Sequence, residues 1–499
     1  MINPTILGVA LVVALGGFVY GVDAGIIATT LGHDTFKYAM LGPTGVNAGL
    51  TGAIVSLYNV GQAIGTFGAG YSANKYSRRW TICASAIIAI VGAALQSGAV
   101  NAGMMIAGRF LAGMGCGILL AVVPIYIAEI SPPAHRGKIV GLQGMMMAIG
   151  FFAANWIGYG GAFAKGDAQW RIPLAMQIPG PVALAVGCCF IPYSPRWLIG
   201  QERYEEAHAV LMKLNQDEDA VTRDLNEIME HIQTEATVTS GVKESLTKLV
   251  SRQYLHRTLM ACFLLVMGQF SGSSVIQNYQ SSFYAAVGFT GKTSLLISGV
   301  YGIMGVIGQV IYLFIAADKW PRSRTLWVGS LFLSAMIAIC MALSALYGGS
   351  DVENISGARA AIAMIFLYSC GYAVFFNATI WVVPSEILPF TLRATGMGLA
   401  VFCKSVSAIV LSQITPTALE NVGWRYYSLF IATNLAAAVV YFFLLPETSG
   451  KTLEEIAELF GDPSPAAMEM KSVTHPAMET NVNDSNAKRS HSSHVENVV

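Results

Sequence analysis

Twelve mainly apolar stretches recur along the chain, at about 6–28, 50–72, 80–100, 103–127, 138–160, 173–193, 257–285, 293–316, 325–347, 359–384, 394–415 and 426–445. Each has roughly the 20 residues a helix needs to cross a bilayer. Between the sixth and seventh lies the one long polar stretch, Pro195 to Gln253. Within it, Gln201–Asn215 and Asp219–Thr234 carry Glu, Lys, His and Leu at helical spacing, which predicts short amphipathic helices at the membrane surface. Beyond Phe460 the chain is rich in Ser, Asn, His, Thr and Pro without apolar periodicity, the mark of a disordered tail. The pattern predicts an all-α membrane protein of twelve transmembrane helices. Its expected parts are a six-helix bundle over 1–194, a linker over 195–256, a second bundle over 257–446 and a tail over 447–499.

The two halves echo each other. Glu129-Ile-Ser-Pro-Pro-Ala-His-Arg136 follows the fourth run and Glu386-Ile-Leu-Pro-Phe-Thr-Leu-Arg393 follows the tenth. Asn74-Lys-Tyr-Ser-Arg-Arg79 after the second run pairs with Asp318-Lys-Trp-Pro-Arg-Ser323 after the eighth. Pro192-Tyr-Ser-Pro-Arg196 pairs with Pro446-Glu-Thr-Ser-Gly450. Three echoes in one order predict two pseudo-symmetric bundles with a site between them at mid-depth.

Composition agrees with a membrane protein: 54% of residues are hydrophobic and only 12% charged, about half the charged share of a soluble domain. The formal net charge of +0 gives no basis for nucleic-acid binding. The eight cysteines all lie in apolar runs, without metal-ligand or disulfide spacing. The first run lacks a basic flank and exceeds a signal-peptide core, so it reads as a spanning helix. Lys75, Arg78, Arg79, Arg136, Lys138, Lys319, Arg322 and Arg324 fall in loops of one side, against Lys37, Lys165 and Lys292 on the other. The bias predicts cytoplasmic termini and a cytoplasmic central loop.

Against this background single charges stand out. Asp23 is the only charge in the first run, and Arg109 the only one between Gly103 and Ile127. An acid in mid-membrane costs roughly 3 kcal/mol on insertion scales, which calls for a partner. The two are expected to form a proton-sensitive pair; a purely structural ion pair is the plainer alternative. Lys404 is the lone charge of the eleventh run, able to snorkel, to stay neutral or to face a cavity and meet an anion. Small residues at Gly17, Gly21 and Gly25, at Gly61, Gly65 and Gly68, and at Gly299, Gly302, Gly305 and Gly308 predict close helix contacts.

Several motifs, in order, resemble one family. They are the run 70–79 ending Asn-Lys-Tyr-Ser-Arg-Arg, Gly-Arg-Phe-Leu-Ala-Gly-Met-Gly-Cys-Gly at 108–117, Pro-Ile-Tyr-Ile-Ala-Glu-Ile at 124–130, and Ser-Pro-Arg-Trp-Leu at 194–198. Trp-Val-Val-Pro-Ser-Glu-Ile at 381–387 and Pro-Glu-Thr-Ser-Gly-Lys-Thr-Leu-Glu-Glu-Ile at 446–456 complete the set. From the first run to Leu459 the chain resembles the sugar porters of the major facilitator superfamily, in a fungal style. The resemblance implies secondary active transport by alternating access, with Asp23 and Arg109 in proton coupling. It implies a cytoplasmic gate of Arg78, Arg79, Glu129, Arg136, Arg196, Asp318, Arg322, Glu386 and Arg393. No cofactor beyond the proton is expected, nor any enzymatic activity. The expected surroundings are membrane lipid and a small-molecule substrate, in a monomer of the plasma membrane.

The sugar site departs from the family pattern. Where the family reads Gln-Gln-x-Ser-Gly-x-Asn, this chain has Gly268-Gln269-Phe270-Ser271-Gly272-Ser273-Ser274, followed by Asn278-Tyr279. The family Gln of the fifth run falls at Gly144, beside Gln143, and the Asn of the eighth near Val306. Asn377 stands before Trp381 in place of a Gly-Pro pair, and Lys404-Ser405 replaces Asn-Trp. The candidate substrate contacts are Gln143, Gln269, Ser274, Asn278, Tyr279, Asn377, Trp381 and Lys404, amides for hydroxyls and an indole for a ring face. A sugar, a sugar-like polyol or a quinate-like sugar acid all remain open as substrate. Passive facilitation and nutrient sensing stand as alternatives to proton symport.

Overall fold

The structure is a computed structural model. It describes residues 4–131, 136–215, 241–286, 288–316, 320–347, 355–388 and 392–449, with isolated positions in 218–229 and at 456 and 460. The tail beyond Phe460 and most of the second predicted linker helix, Asp219–Thr234, lie outside the described residues.

Each of the twelve apolar runs is helical, and five of the first six are single helices. In order come α1 (Pro4–Thr30), a short α2 (Asp34–Met40), α3 (Ala48–Tyr76), α4 (Arg78–Ser97), α5 (Ala102–Ile130) and α6 (Arg136–Gly161). Asn47 and Asn101 open α3 and α5 by accepting the backbone N–H three residues on, which satisfies donors the first turn leaves unpaired. The sixth run splits into α7 (Ala168–Ala175) and α8 (Pro179–Cys188), because Pro179 has no N–H to continue the ladder. The linker supplies α9 (Pro195–Gly200), α10 (Tyr204–Asn215) and α11 (Gly241–Val250).

The second half is more broken. Its first run is divided into α12 (Leu255–Phe270), α13 (Ser273–Asn278) and α14 (Gln280–Ala286). The second division falls at Tyr279 and the first at Gly272, whose φ of 97° lies in the left-handed region that glycine tolerates. The carbonyls freed there are not left bare. Thr433 donates to the Phe270 carbonyl at 2.7 Å, and Tyr368 and Asn434 donate to that of Ser271 at 3.0 and 3.1 Å. Broken backbone at membrane depth is tolerated where neighbouring helices satisfy it in this way. Then follow α15 (Gly291–Ile311), extended by one π turn to Ala316, and α16 (Arg322–Tyr347). A second break separates α17 (Ile355–Phe375) from α18 (Thr379–Ile387), and α19 (Arg393–Val422) and α20 (Tyr427–Leu444) complete the chain. Among the described residues, seven helical stretches are long and apolar enough to cross a membrane.

Glycines set the packing distance. A methyl group on Gly21 of α1 would stand 2.1 Å from the Met147 carbonyl of α6. On Gly61 of α3 it would stand 2.1 Å from the Phe110 carbonyl of α5, and on Gly308 of α15 it would stand 2.4 Å from that of Cys370 in α17. These backbones touch because no side chain intervenes. Gly68 differs from its expected partners: a methyl there would meet nothing within 4 Å. Contacts between the halves run chiefly along α3 with α19 and α6 with α15.

Candidate functional site

Asp23 on α1 and Arg109 on α5 meet in the interior of the first half. One guanidinium nitrogen lies 3.6 Å from Asp23 Oδ1, with the side chains 6% and 1% exposed. The same Arg109 nitrogen donates to the Asp23 backbone carbonyl at 3.2 Å, and the guanidinium lies over the Tyr58 ring at 4.3 Å. The Cys116 thiol donates to Asp23 Oδ2 at 3.7 Å, while Oδ1 accepts no hydrogen bond from any described residue. The carboxylate is therefore matched by charge but not saturated by donors, and it can take a proton without displacing a strong hydrogen bond.

Beside this pair is a cleft lined by both halves. The second half lends it Gln269, Ser274, Gln277 and Asn278 from around the Gly272 break, and Lys404 from α19. The first half lends Tyr20, Tyr58, Asn59 and Arg109. The Ser274 hydroxyl donates to Gln269 Oε1, so these two side chains already form one polar unit. Lys404 is 4% exposed and reaches Gln62 Oε1 at 3.5 Å and the Tyr20 ring at 5.7 Å.

Four of the eight expected substrate contacts thus line one cavity: Gln269, Ser274, Asn278 and Lys404. The other four do not. Tyr279 is 1% exposed and donates its hydroxyl to the Ser412 carbonyl at 2.6 Å, tying α13 to α19. Asn377 donates to Gln309 Oε1 at 2.7 Å. Gln143 packs its backbone and Cγ against Gly17, and Trp381 is half-buried in the first turn of α18. Tyr20, Tyr58 and Asn59 were not legible as site residues, since each is a single polar group on a small-residue helix with no motif around it.

The residues expected to form a gate fall into two matching groups. Arg78, at the start of α4, pairs with Glu129 near the end of α5 at 3.0 Å, and Ser194 donates to the other Glu129 oxygen. Arg322, at the start of α16, pairs with Glu386 near the end of α18. Glu447 accepts the backbone N–H of Arg322 at 2.8 Å and of Ser323 at 3.1 Å. Each of these two ion pairs lies within a single half, and neither bridges the two. Arg79 donates to the Cys189 carbonyl at 2.9 Å and lies over the rings of Trp80 and Tyr193. Arg196 sits in the first turn of α9. Asp318 and the side chains of Arg136 and Arg393 lie outside the described residues.

Residues 9–460 match the family described as "Sugar (and other) transporter". The chain belongs to that family. Among curated relatives, this transporter is 34% identical to the MFS-type transporter criB of Aspergillus cristatus, over 92% of this chain and 94% of that one. It is 29% identical to a high-affinity glucose transporter of Kluyveromyces lactis, over 92% and 85% of the two chains. It is 30% identical to a quinate permease of Neurospora terricola, over 90% and 88%. Among solved structures it resembles the proton:xylose symporter XylE bound to 6-bromo-6-deoxy-D-glucose, at 21% identity and a TM-score of 0.78, covering 92% of this chain and 100% of that one. The transporter therefore has the major facilitator fold. It is an integral multi-pass membrane protein and not an enzyme.

Proposed function

We propose that the protein is a proton-coupled symporter of a sugar-like polyhydroxy compound, working by alternating access. The observation that carries this reading is the buried Asp23–Arg109 pair at the edge of the amide-lined cavity. A proton on Asp23 cancels the charge that faces Arg109, so protonation changes the guanidinium's best partner next to where substrate sits. A ligand shifts a two-state equilibrium only by its differential affinity for the states, and this pair gives the proton such a difference. Gln269, Gln277, Asn278 and Asn59 offer donors and acceptors suited to hydroxyl groups, and the Tyr20 and Tyr58 rings supply apolar faces. The glucose transporter and the proton:xylose symporter that the chain resembles agree with that lining.

We further propose a monomer of the plasma membrane, by analogy with the family, with both termini in the cytoplasm, as the one-sided Lys and Arg of its short loops favour. The test is uptake by a transporter-deficient cell across hexoses, pentoses, disaccharides, polyols and sugar acids, at acidic and neutral external pH. Accumulation that falls as external pH rises and collapses with a protonophore is the expected result. Equilibration indifferent to the protonophore would identify a passive facilitator instead.

A further inference from the structure

We infer that the substrate carries a carboxylate and that Lys404 is the group that receives it. This deepens the symport reading and rests on the same cavity. Lys404 is 4% exposed, lines the cavity from α19, and has no carboxylate within ion-pair distance among the described residues. Its polar contact is one long hydrogen bond to the neutral Gln62, at 3.5 Å, with the Tyr20 ring 5.7 Å away. Arg109, the other cation at the cavity, is already matched by Asp23. The cavity lining thus carries two cationic side chains, and the one carboxylate beside it, Asp23, faces Arg109, which leaves the excess positive charge at Lys404.

An ammonium taken out of water without a counter-charge is costly. A neutral sugar would leave that cost in place, since a hydroxyl offers Lys404 no charge. A carboxylate removes it, while the amides of Gln269 and Asn278 remain for ring hydroxyls. Snorkelling does not relieve the lysine here, because its nitrogen ends against Gln62 in the interior of α3. The chemical class is therefore a polyhydroxylated monocarboxylate. Moving one such anion with one proton transfers no net charge, so transport of this substrate is electroneutral, whereas proton symport of a neutral sugar is not.

The experiment uses the full chain in transporter-deficient cells and in proteoliposomes. It compares quinate and gluconate with inositol and glucose as their uncharged counterparts, in wild type, Lys404→Met and Lys404→Arg. Wild type is expected to prefer the acids, with uptake insensitive to an imposed potassium-diffusion potential. Lys404→Met is expected to lose about 30-fold or more in acid transport efficiency, as for truncating one partner of a buried charge pair, and to shift its preference toward the uncharged pair. Lys404→Arg should retain acid transport at least in part. Detergent-solubilised Lys404→Met without ligand should melt no lower than wild type, because an uncompensated buried charge has been removed; a lysine needed only to hold Gln62 would give the opposite. Wild type that carries the neutral compounds and ignores both acids overturns the inference, as does Lys404→Met with unchanged acid transport. If Lys404→Met does not fold, the wild-type preference and Lys404→Arg decide. Acid uptake that depends on Lys404 but is indifferent to a protonophore would overturn proton coupling alone and leave the carboxylate assignment standing.

Discussion

Replacing Asp23 by asparagine keeps the shape of the site and removes one charge. At 3.6 Å and an effective dielectric of about 20, the lost attraction to Arg109 is about 4–5 kcal/mol. Breaking buried pairs by removing one partner costs about 3–5 kcal/mol, which agrees. Two contacts of Arg109 survive the change, the bond to the backbone carbonyl of residue 23 at 3.2 Å and the stack on Tyr58 at 4.3 Å. The substitution therefore leaves the helices assembled but biases the cycle against every state that needs the pair ionised, by about two to four powers of ten. The new carboxamide cannot take up and release a proton, so the link to the proton gradient goes with the carboxylate. The assay is radiolabelled substrate in cells and in counterflow vesicles. Accumulation above equilibrium is expected to vanish in Asp23→Asn, while exchange of internal for external substrate persists. A variant that still concentrates substrate, with the same dependence on external pH, would refute the reasoning.

Other substitutions test other parts. Gly21→Ala places a methyl 2.1 Å from the Met147 carbonyl and is expected to lower thermal stability by about 1–3 kcal/mol, as overpacking does, while Gly68→Ala, with nothing within 4 Å, leaves the melting temperature unchanged. Glu447→Ala strips the first turn of α16 of an acceptor for two N–H groups and is expected to cost about 1 kcal/mol, read as lower melting of the purified protein. His33, between α1 and α2, is 4% exposed, and burial holds its imidazole below the ordinary histidine range. Its neutral form is the stable one in the fold, so stability is full above the unfolded value and falls as pH drops through that value toward the lower folded one. His33→Gln should flatten the acid side of a melting-versus-pH curve; an unchanged slope would show that His33 does not set it.

Much of the fold was legible because hydrocarbon imposes a simple code. Twelve apolar runs became twelve helical regions, and the Glu-Ile-x-Pro-x-x-x-Arg echo marked equivalent ends, where Glu129 and Glu386 now meet Arg78 and Arg322. Lone charges were legible for the same reason: Asp23, Arg109 and Lys404 each stood out against an apolar stretch. The breaks were not. Gly272 reads like any other small residue until its φ of 97° is seen. The amides divided for a reason no local pattern carries. Asn377 is spent on Gln309 of α15, and Tyr279 on the Ser412 carbonyl of α19, partners distant in sequence. Equally, Asn59 reaches the cavity only because α3 lies along α19.

Apart from the long Lys404–Gln62 contact, the seam between α3 and α19 is fastened by uncharged groups. Ser56 donates to Gln413 at 3.0 Å, Asn59 to Ser412 at 3.3 Å, and Phe67 meets Phe402 at 4.7 Å between ring centres. Such hydroxyl and amide partners trade places with water at little net cost, about 1 kcal/mol each. The Arg78–Glu129 and Arg322–Glu386 ion pairs each join helices of a single bundle. On the alternating-access reading, the line along which the molecule parts is thus a zip of weak teeth, one that thermal motion can open and close again without undoing the Arg78–Glu129 and Arg322–Glu386 pairs on either side.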